Sequence, residues 1–440
     1  MKLFILIVFI LTYVLIMLKS KYKMYITGVS AIICAGALLI FGKMSFIGLL
    51  TSIDYNVVLM LLGMMVVVGL FSDSGMPNKL ADKLISKIPN TMVTLVLLSV
   101  LSGIVSAFID NVATVLMLAP IGLSIARKTK VNPIPVIIAI AVSSNLQGAA
   151  TLVGDTTSVM LAGYANMSFM DFFFMNGRFS IFWAVELGML ATLPILFTLF
   201  RKSNKRISIE SQNIVIKSVI PSLLLVLTIV LLIIFSFIPN KPNVTNGLIC
   251  MGVGIIGIVY YIIEHKVKSR GQEPKLKDKL LKLWKDAIDY ETIVFLVSLF
   301  VIISCVDTVG IISDISKLFA TIGAKNIFLL YTVIVFGSVL ASAFIDNIPY
   351  VATMLPVIKG LVTSINAPIS IELLLYFGLL TGATLGGNIT PVGASANVVG
   401  IGILRKEGYE VKNSDFFKIG IPFTLVAVLA GYIFLWFVWA

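Results

Sequence analysis

Long apolar runs, separated by short polar or basic segments, account for most of this chain. Eight of the runs are simple, near residues 3–18, 24–41, 56–71, 180–200, 213–238, 246–264, 291–304 and 416–438. The hydrocarbon core of a bilayer is about 30 Å thick, so a helix of roughly 20 apolar residues crosses it. Together with four longer stretches, the pattern predicts an all-α membrane protein with about eleven transmembrane helices.

The four longer apolar stretches contain polar residues near their middles. Stretches 91–127 and 326–362 each carry an Asp-Asn pair, and both ends of 91–127 lie beside basic segments, so this stretch must turn back. Two full spans with an external turn would satisfy this, but a turn without Gly or Pro makes a poor exposed loop. We expect two re-entrant helical hairpins instead, because irregular backbone at membrane depth is tolerated where it lines a protein cavity.

Stretches 132–165 and 371–404 are interrupted by small and polar residues, and each predicts a helix that is unwound in its middle. The interruptions read Asn145 to Ser158 and Gly382 to Asn397. Glycine and proline in mid-span free carbonyl oxygens and half-helix ends, which can then bind ions.

The chain contains an internal repeat. Asp54 and Asp289 begin apolar runs that end at Gly75 and Gly310, and the sequence SAFIDN occurs at 106–111 and again at 342–347. We also pair Thr151–Asp155 with Thr384–Asn388, and Asp171-Phe-Phe with Asp415-Phe-Phe. The order predicts a first repeat over 1–206 and a second over 207–440. A duplicated membrane scaffold without a transport role is the bland alternative.

The number of membrane crossings between the two copies is odd, so the second copy is predicted to be inverted. Inverted repeats with ion and substrate sites near the bilayer midplane are typical of secondary transporters. The positive-inside rule places the basic segments in the cytoplasm, and the protein in the cytoplasmic membrane as a multi-pass protein. These segments are Lys19, Lys21 and Lys23; Lys79, Lys83 and Lys87; Arg127, Lys128 and Lys130; Arg201, Lys202, Lys205 and Arg206; the loop 265–288; and Arg405 and Lys406.

The amino-acid composition excludes several classes of function. Of 440 residues, 59% are hydrophobic and 12% are charged, and the mean hydropathy is +1.06, so the lipid bilayer is the main solvent. The net charge of +12 comes from clustered loop residues, so we expect no nucleic-acid partner. Cys34, Cys250 and Cys305 have no disulfide or zinc spacing, and His265 is the single histidine. A histidine metal site and a Ser-His nucleophile are therefore excluded, and we do not expect an enzyme.

Carboxylates within apolar stretches are costly and call for a function. Asp110, Asp155 and Asp346 are such residues near the middles of the hairpins and of the first broken helix. They could bind Na⁺ through oxygen ligands, carry a proton, or cap a broken helix. With the amides and hydroxyls around them they form the predicted substrate and ion site: Asp110, Asn111, Asn145, Thr151, Asp155, Thr156, Ser158, Asp346, Asn347, Thr384, Asn388, Thr390, Ser395 and Asn397.

The charge expected at this site bears on the substrate. Na⁺ is predicted at Asp110, Asn111, Asp346 and Asn347, with no cofactor besides Na⁺ or H⁺ as the coupling ion. We expect no Lys or Arg in the site, because Lys359 lies nearer the end of its hairpin; this favours a neutral oxyacid or a cation over a multivalent anion. Glu186 could be a packing partner or a relay.

These segments resemble the ArsB/NhaD-type permeases of the ion transporter superfamily, which also includes the citrate-transporter-like and divalent anion/sodium symporter families. The resemblance rests on SAFIDNVATVLML from Ser106, SAFIDNIPYVATML from Ser342 and GATLGGNITPVGASANVV from Gly382. It implies a site built from hairpin tips and unwound helices, an elevator-type movement and a homodimer. Carried over, it marks Asp110, Asn111, Asp155, Asp346, Asn347, Asn388, Thr390, Ser395 and Asn397.

One departure affects substrate choice. Many relatives have a Gly-Asp-Pro-Pro-Asn type segment where this chain has Gly154-Asp-Thr-Thr-Ser158. The sequence therefore favours a secondary active transporter of a small inorganic ion or oxyacid, by arsenite-like efflux or Na⁺/H⁺ antiport. The alternative is a Na⁺-coupled symporter of citrate, another carboxylate or sulfate, and a channel is the competing class.

Overall fold

The computed structural model describes residues 1–85, 88–205, 215–268, 287–323 and 326–440. The predicted boundary between the repeats at 206/207, the basic residues Arg206 and Lys87, and most of the basic loop 265–288 lie outside these residues. The described part is all-α, with one two-stranded antiparallel hairpin of β1 (Phe174–Met175) and β2 (Arg178–Phe179). The predicted fold class is confirmed at this level.

The first ten helices lie before residue 206. They are α1 (Lys2–Leu18), α2 (Lys23–Ile40), α3 (Phe46–Thr51), α4 (Tyr55–Asp73), α5 (Met76–Ile85), α6 (Thr91–Ser106), α7 (Asn111–Thr129), α8 (Pro133–Gln147), α9 (Thr156–Ala165) and α10 (Ile181–Phe200). Short 3₁₀ turns occur at Ser20–Tyr22, Met170–Phe172 and Arg201–Ser203. The amphipathic helix α5 replaces what the sequence presents as a basic loop.

Nine helices follow in the described part after residue 214. They are α11 (Ile220–Ser236), α12 (Thr245–Lys268), α13 (Tyr290–Thr308), α14 (Ile311–Gly323), α15 (Ile327–Ser342), α16 (Asn347–Ser364), α17 (Ile369–Gly386), α18 (Ser395–Lys406) and α19 (Asn413–Trp439), with a 3₁₀ turn at Gly387–Ile389. If α3 is left out of the first ten helices, the remaining nine match these nine in order and approximately in length.

Matched sequence landmarks take the same local structure. The side chain of Asp54 caps α4 by accepting from the Val57 N–H at 3.1 Å, and that of Asp289 caps α13 by accepting from the Thr292 N–H at 3.0 Å. Such caps satisfy backbone donors that a helix start leaves unpaired. Gly75 and Gly310 follow these helices with φ of 76° and 77°, a conformation that favours glycine.

Helices from the first half of the chain pack against helices from the second half. Helix α4 packs most extensively on α12, and α2 on α13, so each pair joins the early and the late part of the chain. The pairs α6 with α8 and α15 with α17 place each predicted hairpin against the helix that is interrupted after it. Buried aliphatic and aromatic side chains fill these contacts.

Eight helices in the described residues are long and apolar enough to cross a membrane: α2, α4, α7, α10, α12, α13, α17 and α19. The apolar helices α1, α6, α8, α11 and α15 are shorter, at 10–17 residues. Side chains such as Leu3, Ile32 and Leu223 are more than half exposed. An outer surface with many exposed apolar side chains is compatible with lipid, because these side chains are solvated better by the hydrocarbon tails of a bilayer than by water.

Candidate functional site

The two Asp-Asn pairs lie at turns between antiparallel helices. Helices α6 and α7 are joined by residues 107–110, and α15 and α16 by residues 343–346. Asp110 caps α7 by accepting from the Val112 and Ala113 N–H groups at 3.0 and 3.1 Å. Asp346 caps α16 through one oxygen, which accepts from the Ile348 N–H at 3.3 Å, and so keeps its second oxygen for another partner.

The two predicted unwound helices are interrupted at 148–155, between α8 and α9, and at 387–394, between α17 and α18. A side chain from the helix after each interruption donates a hydrogen bond to the carbonyl of the first glycine in that interruption. Ser158 donates to the Gly148 carbonyl at 3.0 Å, and Asn397 donates to the Gly387 carbonyl at 3.0 Å. Both side chains are fully buried, so the freed carbonyl groups are satisfied inside the protein.

Each interruption is held to one hairpin turn by a threonine. The Thr151 hydroxyl donates to the Ala107 carbonyl, and the Thr390 hydroxyl donates to the Ala343 carbonyl, the latter at 2.6 Å. The hydrogen bonding therefore pairs Thr151 with Thr390. The sequence-based pairing of Thr151–Asp155 with Thr384–Asn388 is wrong by six residues, because short runs of Gly, Thr and Leu match in several registers.

Carbonyl oxygens converge at a glycine in each interruption. A Cβ added to Gly154 would lie 2.7 Å from the Gly148 oxygen and 3.0 Å from the Ala107 oxygen. A Cβ added to Gly393 would lie 2.6 Å from the Gly387 oxygen and 3.0 Å from the Ala343 oxygen. Hard cations prefer such oxygen donors, and a glycine at each position is what lets the backbone segments approach this closely.

A chain of buried amides links the two broken helices. Asn145 accepts from Asn111 at 2.9 Å and donates to Asn388 at 3.1 Å and to the Thr384 carbonyl at 2.8 Å. Asn388 in turn donates to the Val142 carbonyl at 2.9 Å. All these side chains are at most 5% exposed, so their hydrogen bonds fix the two interruptions against each other.

Asp155 is the carboxylate at the centre of this network. Its oxygens accept from the Thr156 N–H at 2.7 Å, the Thr157 hydroxyl at 3.0 Å and the Asn347 amide at 3.1 Å. Thr157 also lies 3.2 Å from the Thr384 hydroxyl. Asp155 thereby joins the first interruption to the turn of the second hairpin, and it is 5% exposed.

Lys23 reaches the second hairpin turn, contrary to the expectation of a site without Lys or Arg. Its Nζ lies 3.0 Å from Oδ2 of Asp346, and the two side chains are 17% and 18% exposed. The sequence places Lys23 with Lys19 and Lys21 in a basic segment, but in the structure it is the first residue of α2. Lys359 pairs instead with Glu372 at 2.7 Å, away from the hairpin turn.

The structure therefore brings together most of the predicted site residues and leaves a few at its edge. Asp110 and Ser395 are exposed, at the starts of α7 and α18, and Glu186 is half-buried in α10. Residues in the buried network or in the hydrogen bonds at its margin are Asn111, Asn145, Thr151, Asp155, Ser158, Asp346, Asn347, Thr384, Asn388, Thr390 and Asn397. Thr156 enters through its backbone N–H.

Several buried oxygens at the hairpin turns have no hydrogen-bond partner among the described residues. They include the hydroxyls of Ser106 and Ser342, at equivalent positions in the two SAFIDN sequences, and Oδ1 of Asn397. Leaving a buried polar atom without a partner costs about 1–3 kcal/mol of stability, so a water molecule or an ion is expected at these atoms. Hydroxyl and amide oxygens beside carboxylates form a donor set that suits Na⁺.

A separate cavity of about 860 Å³ lies between α4, α9 and α13. Asp54, Asp171 and Asp307 line it, together with Lys241 from the segment between α11 and α12. Burial lowers the pKa of the Lys241 ammonium, an effect that the nearby Asp171 carboxylate opposes. The cavity reaches the end of α9 opposite to Asp155, so a single short helix connects it to the buried network.

Apolar helices around a buried network of carboxylates and amides are the architecture of a multi-pass membrane protein, and the family and relatives of this chain are transporters, not enzymes. The sequence model described as "citrate transporter" (CitMHS) matches residues 13–379, and the chain belongs to this family of the ion transporter superfamily. The predicted superfamily is thereby confirmed.

Relatives and solved structures agree with this assignment. A 46 kDa membrane protein of Mycobacterium leprae is 30% identical over 433 residues, covering 98% of this chain and 97% of that protein. An uncharacterised transporter of Mycobacterium tuberculosis is 28% identical over 397 residues, covering 88% and 86%. The YdaH transporter of Alcanivorax borkumensis shares the fold, with a TM-score of 0.56 at 15% identity over 88% of this chain and 86% of that one.

Proposed function

We propose that this chain is a secondary active transporter of the cytoplasmic membrane that moves a small carboxylate anion such as citrate, coupled to Na⁺ or H⁺. The observation that carries the proposal is the contact between Lys23 and Asp346. The sequence favours a neutral or cationic substrate only if the site contains no basic residue. Because the Lys23 ammonium lies at the hairpin turn, that condition is not met. The family's description as citrate transporters favours a carboxylate anion as the substrate.

The coupling cation is proposed to bind at the two hairpin turns, at Asp110 and Asn111 and at Asp346 and Asn347. Support comes from the converging carbonyl oxygens at Gly154 and Gly393 and from the hydroxyls of Ser106 and Ser342, for which the described part of the chain offers no hydrogen-bond partner. Bound cations would supply the positive charge that a multivalent anion needs in a site whose side chains carry more negative than positive charge.

The architecture proposed for this transport is a pair of inverted repeats with about eleven transmembrane helices and two re-entrant hairpins. It is supported by the twofold recurrence of helix order, of the Asp54 and Asp289 caps, and of the Thr151 and Thr390 contacts. We further propose that the hairpins and broken helices move as one body against the remaining helices, in an elevator manner, within a homodimer.

A second candidate is Na⁺/H⁺ antiport or efflux of a neutral oxyacid such as arsenite. The three carboxylates of Asp110, Asp155 and Asp346 outnumber the one ammonium of Lys23 at the site, and this excess of negative charge favours cation movement. Neutral oxyacids could bind the hydroxyls of Thr157 and Thr384 without counter-charge.

Uptake by proteoliposomes separates these functions. We expect labelled citrate to accumulate when an inward Na⁺ or H⁺ gradient is imposed, with saturation and counterflow. Asp155→Asn should abolish accumulation, whereas the exposed surface variant Asp73→Asn, which loses only a pair with Lys217, should retain it. Proton movement driven by Na⁺ alone, without citrate accumulation, would support antiport instead. Unsaturable conductance would indicate a channel and contradict both candidates.

A further inference from the structure

The ammonium group of Lys23 is partly buried and lies among acidic and aromatic side chains. Its Nζ lies 3.0 Å from Asp346 Oδ2 and 5.0 Å from the centre of the Phe295 ring, so one carboxylate and one aromatic face contact the ammonium group. The carboxylates of Asp289 and Glu291 add negative potential. A charge this far from water is stable only when it is paired, and Asp346 supplies the pair.

The ion pair joins two separate groups of helices. Lys23 begins α2, which packs on α1 and α13, whereas Asp346 lies in the turn between α15 and α16. A second contact joins the same groups: the Tyr13 hydroxyl in α1 donates to the Pro349 carbonyl at 2.6 Å and lies 2.5 Å from the Thr353 hydroxyl. Helices α1 and α2 therefore hold the second hairpin turn from one side.

Asp346 can satisfy one positive charge at a time. Its Oδ1 is committed to the cap of α16, and its Oδ2 contacts Lys23. A Na⁺ ion bound to the same carboxylate would lie within a few ångströms of the ammonium, where two like charges in a medium of low dielectric repel strongly. Binding of the ion therefore competes with the Lys23 contact.

We infer that Lys23 is a tethered counter-cation that occupies the Na⁺ position of the second hairpin turn until Na⁺ displaces it. The inference rests on the proposed function for its cation site. Displacement has two consequences. It releases the hairpin turn from α2, and it leaves an ammonium group next to the site, where an anion can pair with it. Na⁺ must then bind before the anion, which prevents the empty hairpin from moving freely.

The test is a Na⁺ titration of the thermal unfolding midpoint of the purified full chain, with choline chloride holding ionic strength constant. A ligand that binds the folded state raises its apparent stability according to its concentration and affinity. We expect Lys23→Met to lower the half-stabilising Na⁺ concentration by about tenfold, which corresponds to about 1.4 kcal/mol. Lys23→Arg keeps the charge and should stay near wild type.

Two further variants control for indirect effects. Lys21→Met makes the same chemical change at an exposed position two residues away and should leave the titration unchanged. Combining Lys23→Met with Asp346→Asn should remove the gain in affinity, because the carboxylate that both cations share is gone. If Lys23→Met is too unstable to purify, Lys23→Gln replaces it.

An unchanged half-stabilising concentration in Lys23→Met, or a wild type whose midpoint does not respond to Na⁺, overturns the inference. The same is true if Lys21→Met gives an equal shift. The proposed function fails in a different way. In that case proteoliposomes take up no citrate, although Lys23→Met still changes the Na⁺ titration.

Discussion

The side-chain amide of Asn347 donates a 3.1 Å hydrogen bond to Oδ2 of Asp155, a residue 192 positions earlier in the chain. The bond joins the turn of the second hairpin to the interruption of the first broken helix. The first hairpin makes the corresponding contact differently, from Asn111 to the amide oxygen of Asn145. Both hairpin asparagines therefore bond to the first broken helix, Asn347 to a carboxylate and Asn111 to an amide, so the two hairpin turns are chemically distinct.

The substitution Asp155→Asn tests this asymmetry. The amide nitrogen that it introduces would face either the Thr156 N–H, which now bonds Oδ1, or the Thr157 hydroxyl and the Asn347 amide, which now bond Oδ2. Either orientation leaves a buried donor unpaired. We expect a loss of stability of about 1–3 kcal/mol, as for a buried polar group without a partner. Thermal unfolding of the purified protein measures it. A variant as stable as wild type would mean that the network reorients at no cost.

Thr151→Val and Thr390→Val remove the hydroxyls that tie each interruption to a hairpin turn. Valine keeps the shape, so Thr390→Val should cost about 1 kcal/mol for its hydrogen bond to the Ala343 carbonyl. Thr151→Val should cost more, because the Thr151 hydroxyl also accepts from the Val153 N–H at 3.3 Å. The matched control is Thr198→Val, whose hydroxyl bonds within its own exposed helix. Thermal midpoints should fall for both site variants and stay constant for the control. A loss in Thr390→Val that exceeds the loss in Thr151→Val would contradict this prediction.

Gly154→Ala and Gly393→Ala introduce a Cβ among carbonyl oxygens. Because the nearest oxygens would be 2.7 and 2.6 Å away, the backbone must shift and the oxygen cluster must open. We expect both variants to lose stabilisation by Na⁺ in thermal unfolding. Gly402→Ala, in α18 with no atom within 4 Å of the added Cβ, should keep it and gain up to about 1 kcal/mol from helix propensity.

A surface ion pair should make stability depend on pH in a known direction. The Lys2 ammonium lowers the pKa of the exposed Asp314 carboxyl in α14, so the pair stabilises the fold above the ordinary aspartate range near pH 4. Its contribution disappears as pH falls through the lowered pKa. Thermal midpoints of wild type and Lys2→Met should differ at pH 6 and converge in acid. Curves that stay parallel across this range would contradict the prediction.

Hydrophobic periodicity and polar landmarks were enough to predict the helical class and the residues near the site. The caps at Asp54 and Asp289 are local, because a side chain three residues ahead of a helix N–H decides them. The two SAFIDN segments mark turns for a similar reason: an Asp followed by an apolar helix satisfies the first free donors of that helix.

Long-range contacts were not predictable from the sequence. Lys23 lies among basic residues whose number indicates a cytoplasmic segment, and nothing local shows that its side chain reaches Asp346, more than 300 residues later. The register of Thr151 against Thr390 depends on which backbone oxygen each hydroxyl meets. Helices α5 and α14 were missed because their charged faces break the apolar runs that mark spans.

The crossed packing of α4 on α12 and of α2 on α13 constrains how the protein is made. When the ribosome has released the first half, α2 and α4 are in the bilayer with the surfaces for their later partners still uncovered. Those surfaces stay open until α12 and α13 have been synthesised, each more than a hundred residues after its partner helix, a period in which chaperones and membrane proteases can bind them. Premature termination in the second half would therefore yield a fragment marked for degradation rather than a smaller, stable carrier.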